Sequence, residues 1–299
     1  MPTELGLRID VDTYVGAIKG LPHLLSRLRA ERCQASIFMP GGPDRTGQAM
    51  QRILTQRGYL AKLVRTGALR TYGPSALATA LFYRNRSIVD AVKPLLQAQV
   101  DGHEFVAHGF THTVWHNELH SMDAQTVSGH VQASVDALAR AIGRQPVGFG
   151  GPGWQGNFAS LHALDRQQLR LGADTRGSCP FLPVMHGYRF KTPQVPTTLP
   201  SLDEFSQGLP PTRRDIQALF ELIMHQRFPV YAAHAELEGR GHQAFFDELL
   251  AFCWREKIRV VPMTSVLQSA LAVGLPSCEV IQAPVANRPG LVATQGAEV

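Results

Sequence analysis

The chain opens on a strand, a helix and a second strand in quick succession, and that order restricts its architecture more than any other feature. "ELGLRIDV" alternates like a strand, "GLPHLLSRLRAERC" repeats apolar residues at helical spacing after Pro22, and "QASIFM" is strand-like again. Strands joined through a helix are most simply parallel neighbours. The rhythm continues with "SIVDAVKPLLQAQ" as a helix, "HEFVAH" as a strand, and a helix from about Met122 to Ile142. A short strand near Val147 and a helix from about Ser160 to Leu171 follow. Near the end "FPVYAAHAE", "AFFDELLAFCWREK", "IRVVPM" and "TSVLQSALAVG" read as strand, helix, strand and helix. About seven such units in 299 residues, 44% of them apolar, predict an α/β protein with a parallel barrel, closed or partly open, rather than two domains.

Two stretches break the rhythm. From Arg45 to Val89 there is no acidic residue but eight basic ones, and the rest of the chain carries 29 − 8 = 21 basic against 24 acidic residues. The segment is too long for a barrel loop, so a helical insertion over 45–89 with an anionic partner is expected. "GSCPFLPVMHGYRFKTPQVPTTLPSLDEFSQGLPP" is rich in proline and glycine and predicts an ordered excursion over the barrel mouth. The expected organisation is one domain over 1–283 and a loose tail over 284–299. No signal-peptide pattern and no apolar run of roughly 18 residues is readable. The four cysteines are scattered, without paired spacing, which suits a reducing compartment and a cytoplasmic protein.

The chemistry gathers where the predicted strands end. In "LRIDVDT" the alternation puts Leu5, Leu7, Ile9 and Val11 on one face and Arg8, Asp10 and Asp12 on the other. Two carboxylates so close repel unless a cation, an arginine or a metal ion, lies beside them. In "FVAHGFTHTVWHNELH" histidines recur at 108, 112, 116 and 120. Only His108 follows directly on the apolar strand, so His108 and His112 are the pair expected at the strand end, with His116 and His120 exposed. Two histidines and a carboxylate make a three-ligand site with open positions, as suits a catalytic zinc, iron or cobalt ion. Asp174 with Arg176, and His234 with Glu236, end two further strands.

The motifs "GLRIDVDT", "QASIFMPGGPD", "HGFTHTVWH", "PGWQGN", "DTRGSCPF" and "PVYAAHAELEG" occur in this order over nearly the whole chain. In them the sequence resembles the 4-deoxy-4-formamido-L-arabinose-phosphoundecaprenol deformylases, a branch of the polysaccharide deacetylase (NodB-homology) superfamily. The resemblance implies a distorted (β/α) barrel and a divalent-metal amidohydrolase, the metal being zinc, cobalt, manganese, nickel or iron. It further implies removal of formyl from an amino sugar linked to polyprenyl phosphate, in lipid A modification and polymyxin resistance. It places Asp10 as general base, Asp12, His108 and His112 on the metal, and His234 as general acid. Asp174 and Arg176 are expected in the catalytic group, and Arg8, Trp154, Gln155 and Glu236 around the substrate.

A substrate with a polyprenyl tail stays in the bilayer, so the enzyme is expected on the inner face of the cytoplasmic membrane. In "MQRILTQRGYLAKLVRTGAL" apolar residues recur at near-helical spacing between basic ones, which assigns Arg57, Lys62 and Arg65 to an anionic membrane surface and the lipid phosphate. Nucleic acid is not an expected partner.

One departure stands out. Where the superfamily carries an arginine that keeps the base aspartate ionised, this chain has Gln155, which can hydrogen-bond a carboxylate but cannot lower its pKa by charge. Either Arg8 or Arg176 takes that role, or the protein is slower or altered in substrate. An N-deacetylase of another amino sugar and a catalytically weakened membrane-associated binding protein are the alternatives.

Overall fold

The structure is a computed structural model and describes residues 2–46, 86–98, 102–206 and 209–299. Strand β1 (Glu4–Asp10) shows why the alternation matters. Leu5, Leu7 and Ile9 join the main core with Leu21, Leu24, Leu25 and Leu28 of α1 (Leu21–Ala30). Arg8, on the other face, packs among residues inside the curl of the sheet, against Phe38 and Trp154. Burial of the apolar set outward against helices therefore drives the charged set inward.

Around β1 stand β2 (Ser36–Met39), β3 (Glu104–Ala107), β4 (Gly148–Phe149), β5 (Leu171–Gly172) and β8 (Val230–His234). They are hydrogen-bonded in the order β5-β4-β3-β2-β1-β8, all parallel, with β9 (Arg259–Val261) pairing to the start of β1. The register aligns the strand ends, since Asp10 sits level with Phe38 and His234, Ala107 with Met39 and Phe149, and Phe149 with Gly172. Residues just beyond those ends are thus brought to one rim.

The outer layer is helical. After α1 come α2 (Ile88–Ala98), α3 (His112–Glu118), α4 (Ala124–Ile142), α5 (Phe158–Gln167), α6 (Leu202–Ser206), α7 (Arg213–His225), α8 (Gln243–Arg255) and α9 (Met263–Leu271). Helix α5 stops earlier than its pattern suggests, because Gln168 turns left-handed at φ 51° and Leu171 already belongs to β5. Among the described residues no helix is long and apolar enough to cross a membrane.

The curl is a half-barrel, open between β5 and β8, and the proline-rich excursion fills that side instead of lying over the mouth. Residue 195 donates its N–H to Gly172 O at 2.8 Å, and Leu199 donates to Val230 O at 3.2 Å, so the segment bridges the two edge strands. The excursion also supplies β6 (Leu182–Met185) and β7 (Tyr188–Arg189) to a second, four-stranded sheet. Its other members correct the expectation of a loose tail: β10 (Ser277–Pro284) and β11 (Leu291–Glu298) pair antiparallel, and Val292 and Ala293 are buried. The basic insertion lies almost entirely outside the described residues. Its two ends meet after β2, where Asp44 donates its N–H to Arg86 O at 2.9 Å and Pro43 bridges Ser87.

Candidate metal centre and active site

At the rim, His108 directly follows β3, and its Nδ1 lies 2.8 Å from Gly150 O. A carbonyl accepts only, so Nδ1 carries the proton and the buried Nε2 presents a lone pair. That lone pair faces Asp12 Oδ1 at 3.4 Å, and His112, the first residue of α3, brings its Nε2 within 3.1 Å of the same oxygen. Asp12 Oδ1 and His108 Nε2 are both sealed from solvent with no hydrogen-bond partner. One ligand atom from each of Asp12, His108 and His112 lies within 4.8 Å of the others, the one such trio among the described residues. A carboxylate and two imidazoles converging from two strand ends fit a divalent ion with open coordination positions.

Asp10 adjoins this trio. Its Oδ1 accepts a 2.6 Å bond from Arg8 Nε, and its Oδ2 lies 3.9 Å from His108 Nε2. Burial pushes the Asp10 carboxyl up, but the Arg8 guanidinium and His108 outweigh it, and the net direction is down. Asp12, against the same opposition from burial, is held well below the carboxylate range by His112 and His108. His234 ends β8, level with Asp10. Burial disfavours its charge, yet Asp12, Asp203 and Asp10 prevail and raise its pKa to about 9. Glu238 fixes its backbone, accepting the His234 N–H at 2.8 Å and the Tyr231 hydroxyl at 2.6 Å.

Asp10, Asp12, His108, His112 and His234 are therefore brought together as the motifs predict. Other expectations need correction. Arg8, expected around the substrate, is fully buried and bonds Asp10. Arg176 does not approach Asp10. Its Nη1 is taken by both oxygens of Glu204 at 2.7 and 2.8 Å and its Nη2 by Leu199 O, so it ties the excursion to the barrel. Asp174 is buried beside Arg8 rather than in the trio; Gln194 donates to its Oδ2, and burial raises its pKa to about 6. Trp154 is an interior residue, 2% exposed, whose indole N–H donates to Thr197 Oγ1. Gln155 does not bond Asp10 either. Its Oε1 lies 2.9 Å from His120 Nε2, and its Nε2 donates to Leu291 O.

Glu236 braces the loop that carries Asp12, its Oε1 accepting the N–H groups of Asp12 and Thr13 and the Thr13 hydroxyl. A Cβ on Gly16 would fall 1.9 Å from that oxygen, so a larger residue there would displace the brace. Arg57, Lys62 and Arg65 lie outside the described residues. Sequence reasoning missed Glu204 and Glu238. Only Glu238, four residues after His234, offered a local signal.

No family model matches the chain. It is 28% identical over 300 residues to a Shewanella sediminis protein named a probable 4-deoxy-4-formamido-L-arabinose-phosphoundecaprenol deformylase ArnD, covering 99% of this chain and 96% of the relative. A Wigglesworthia glossinidia brevipalpis protein of the same name is 25% identical over 94% of this chain and 98% of its own. In fold the chain is similar to the "putative polysaccharide deacetylase" of Mycobacterium smegmatis, with a TM-score of 0.63 at 17% identity over 94% of both chains. It is also similar to a family 4 acetyl xylan esterase from Clostridium thermocellum in complex with a cobalt ion, with a TM-score of 0.50 at 12% identity over 91% of this chain and 92% of that one. The half-barrel is the polysaccharide deacetylase fold, and the likeness to the arabinose deformylases runs the length of the chain, as the motifs imply.

Proposed function

We propose that this protein, which shares the polysaccharide deacetylase fold and resembles the formamido-arabinose deformylases throughout, is a metal-dependent amidohydrolase. Its reaction is the removal of N-formyl from 4-deoxy-4-formamido-L-arabinose carried on a polyprenyl phosphate, in lipid A modification and polymyxin resistance. The observation that carries this is the trio of buried Asp12 and His108 with half-buried His112, and an arginine-paired aspartate beside it. The choice of formyl and of the lipid-linked sugar is supported by the names of the relatives.

Asp12, His108 and His112 would hold the ion, which supplies Lewis acidity, polarising the formyl oxygen and making water acidic near neutral pH. Asp10, kept ionised by Arg8, accepts the proton of the attacking water. His234 donates a proton to the nitrogen as the C–N bond breaks, so that formamide and water become formate and amine. A positioned base and acid each contribute roughly 10²–10⁴-fold. Arg8 and Glu236 position Asp10 and the Asp12 loop, so neither carboxylate has to reorganise during the reaction.

The basic segment 45–89 supports a further part of the reading, docking on an anionic membrane face where a polyprenyl substrate resides. The test of the function is to incubate metal-loaded protein with matched N-formyl and N-acetyl aminoarabinose lipids and to measure formate, acetate and free amine. Faster release from the formyl lipid supports the proposal. Faster release from the acetyl lipid makes the protein a deacetylase, and release from neither makes it a binding protein.

A further inference from the structure

From the trio the wall of the site runs through His116 to Arg288. The His116 ring lies 6.4 Å from that of His112 and nearly parallel to it, at 9°. Gly153, at φ 65°, sits so close to His116 that a Cβ would fall 2.1 Å from the ring. The next residue is Trp154, and the Arg288 guanidinium lies over its ring at 4.3 Å. Arg288 belongs to the turn between β10 and β11, where it donates its N–H to Val285 O. Gln155 Nε2 clamps the start of β11 down at 2.9 Å through Leu291 O. A residue 134 positions after Trp154 is thus fixed at the rim.

The charges on this wall do not balance. Arg288 Nη1 reaches Glu204 Oε1 at 3.3 Å, but that carboxylate is already held by Arg176 through both oxygens. Two guanidinium groups share one carboxylate, and among the described residues no other acidic group pairs with Arg288. Its side chain is 15% exposed, so the surplus charge is partly withdrawn from water yet accessible. A guanidinium anchored by stacking, with a fork of N–H groups to spare, suits a phosphate oxygen better than a neutral hydroxyl.

We propose that Arg288 is a phosphate-binding residue of this site. It takes the anomeric phosphodiester of a sugar whose amide, across the same ring, lies at the trio. The proposal rests on the lipid-linked amino sugar reading, since that substrate carries an amide and a phosphate on one pentose. The C-terminal hairpin then acts as a specificity element, supplying the charge that distinguishes a glycosyl phosphate from an uncharged glycoside.

The test is calorimetric titration of the full-length, zinc-loaded protein with L-arabinose, L-arabinose 1-phosphate and inorganic phosphate. Wild type should bind the sugar phosphate at least tenfold more tightly than either of the others, and Arg288→Gln should bring that preference close to one. If the variant does not fold, the wild-type preference should still shrink several-fold between about 50 and about 500 mM salt, where screening is strong. No preference in wild type, a preference that survives Arg288→Gln, or equal binding of inorganic phosphate would overturn the assignment. The two readings separate in a parallel assay. A protein that prefers the sugar phosphate but releases no formate keeps the anion site and loses the deformylase reading. One that deformylates phosphorylated and plain sugars equally well keeps the activity and loses the role of Arg288.

Discussion

Arg8 Nε donates a 2.6 Å bond to Asp10 Oδ1 inside the barrel, the two side chains 0% and 4% exposed and only two residues apart on one strand face. An arginine two residues before the aspartate thus holds it ionised, while Gln155 is engaged by His120 and Leu291. Both partners come from a single strand, so the geometry is fixed by the pleat and needs no contact between distant elements.

Removing that arginine should move the acid limb of kcat/KM. The Arg8 charge works to lower the Asp10 pKa, so Arg8→Gln lets it rise and the limb shifts to higher pH. Because the change strands a buried carboxylate, a stability loss of roughly 3–5 kcal/mol is expected as well, read by urea unfolding. Arg176→Ala should cost stability but leave the limb in place, since its charge is bound to Glu204. A limb that moves with Arg176 and stays with Arg8 would reverse the assignment.

Asp10→Asn separates proton transfer from metal binding. The variant should keep a stoichiometric ion, measured by atomic emission, while turnover falls by about two orders of magnitude or more. Near-wild-type turnover would remove Asp10 from the role of base.

Much of this centre is legible in the sequence. Strand alternation alone puts Arg8, Asp10 and Asp12 on one face, and the four-residue spacing of His108 and His112 follows a recognisable strand. The same local patterns say nothing of what a side chain meets far along the chain. Arg176 is engaged by Glu204, 28 residues on, and Gln155 by Leu291, 136 residues on, so neither is free for Asp10. Strands β4 and β5 contain two residues each, too few for a period to register. The C-terminal strands look loose because "LVATQGAE" is small and polar, and they are ordered by pairing with β6 and Arg176 rather than by their own apolar content.

Asp174 predicts a pH dependence of stability. Burial raises its folded pKa to about 6 from 3.8, so the folded state binds the proton more tightly than the unfolded one. Its contribution therefore falls as pH rises from about 4 to about 6 and stays low above that window. Asp174→Asn should remove this loss, giving a higher Tm than wild type at pH 7 and a converging Tm near pH 4, read by calorimetry. Parallel curves for the two proteins would show that Asp174 does not titrate as described.

The docking proposal concerns the basic segment. Arg57, Lys62 and Arg65 changed together to Gln should weaken co-sedimentation with anionic liposomes by about tenfold or more, at about 1 kcal/mol per charge near the surface. Unchanged binding, or binding insensitive to salt in wild type, would exclude this segment as the membrane contact.

The central claim is that Asp12, His108 and His112 hold an ion needed to hydrolyse a formamide. Formate release from the N-formyl aminoarabinose lipid, followed before chelation, after it and after metal is restored, tests this most directly when run beside His112→Ala. The expected result is activity lost on chelation and recovered with metal in wild type, with His112→Ala inactive and carrying no ion at any stage. Formate release that persists after chelation, or a His112→Ala protein that keeps both ion and activity, would contradict it.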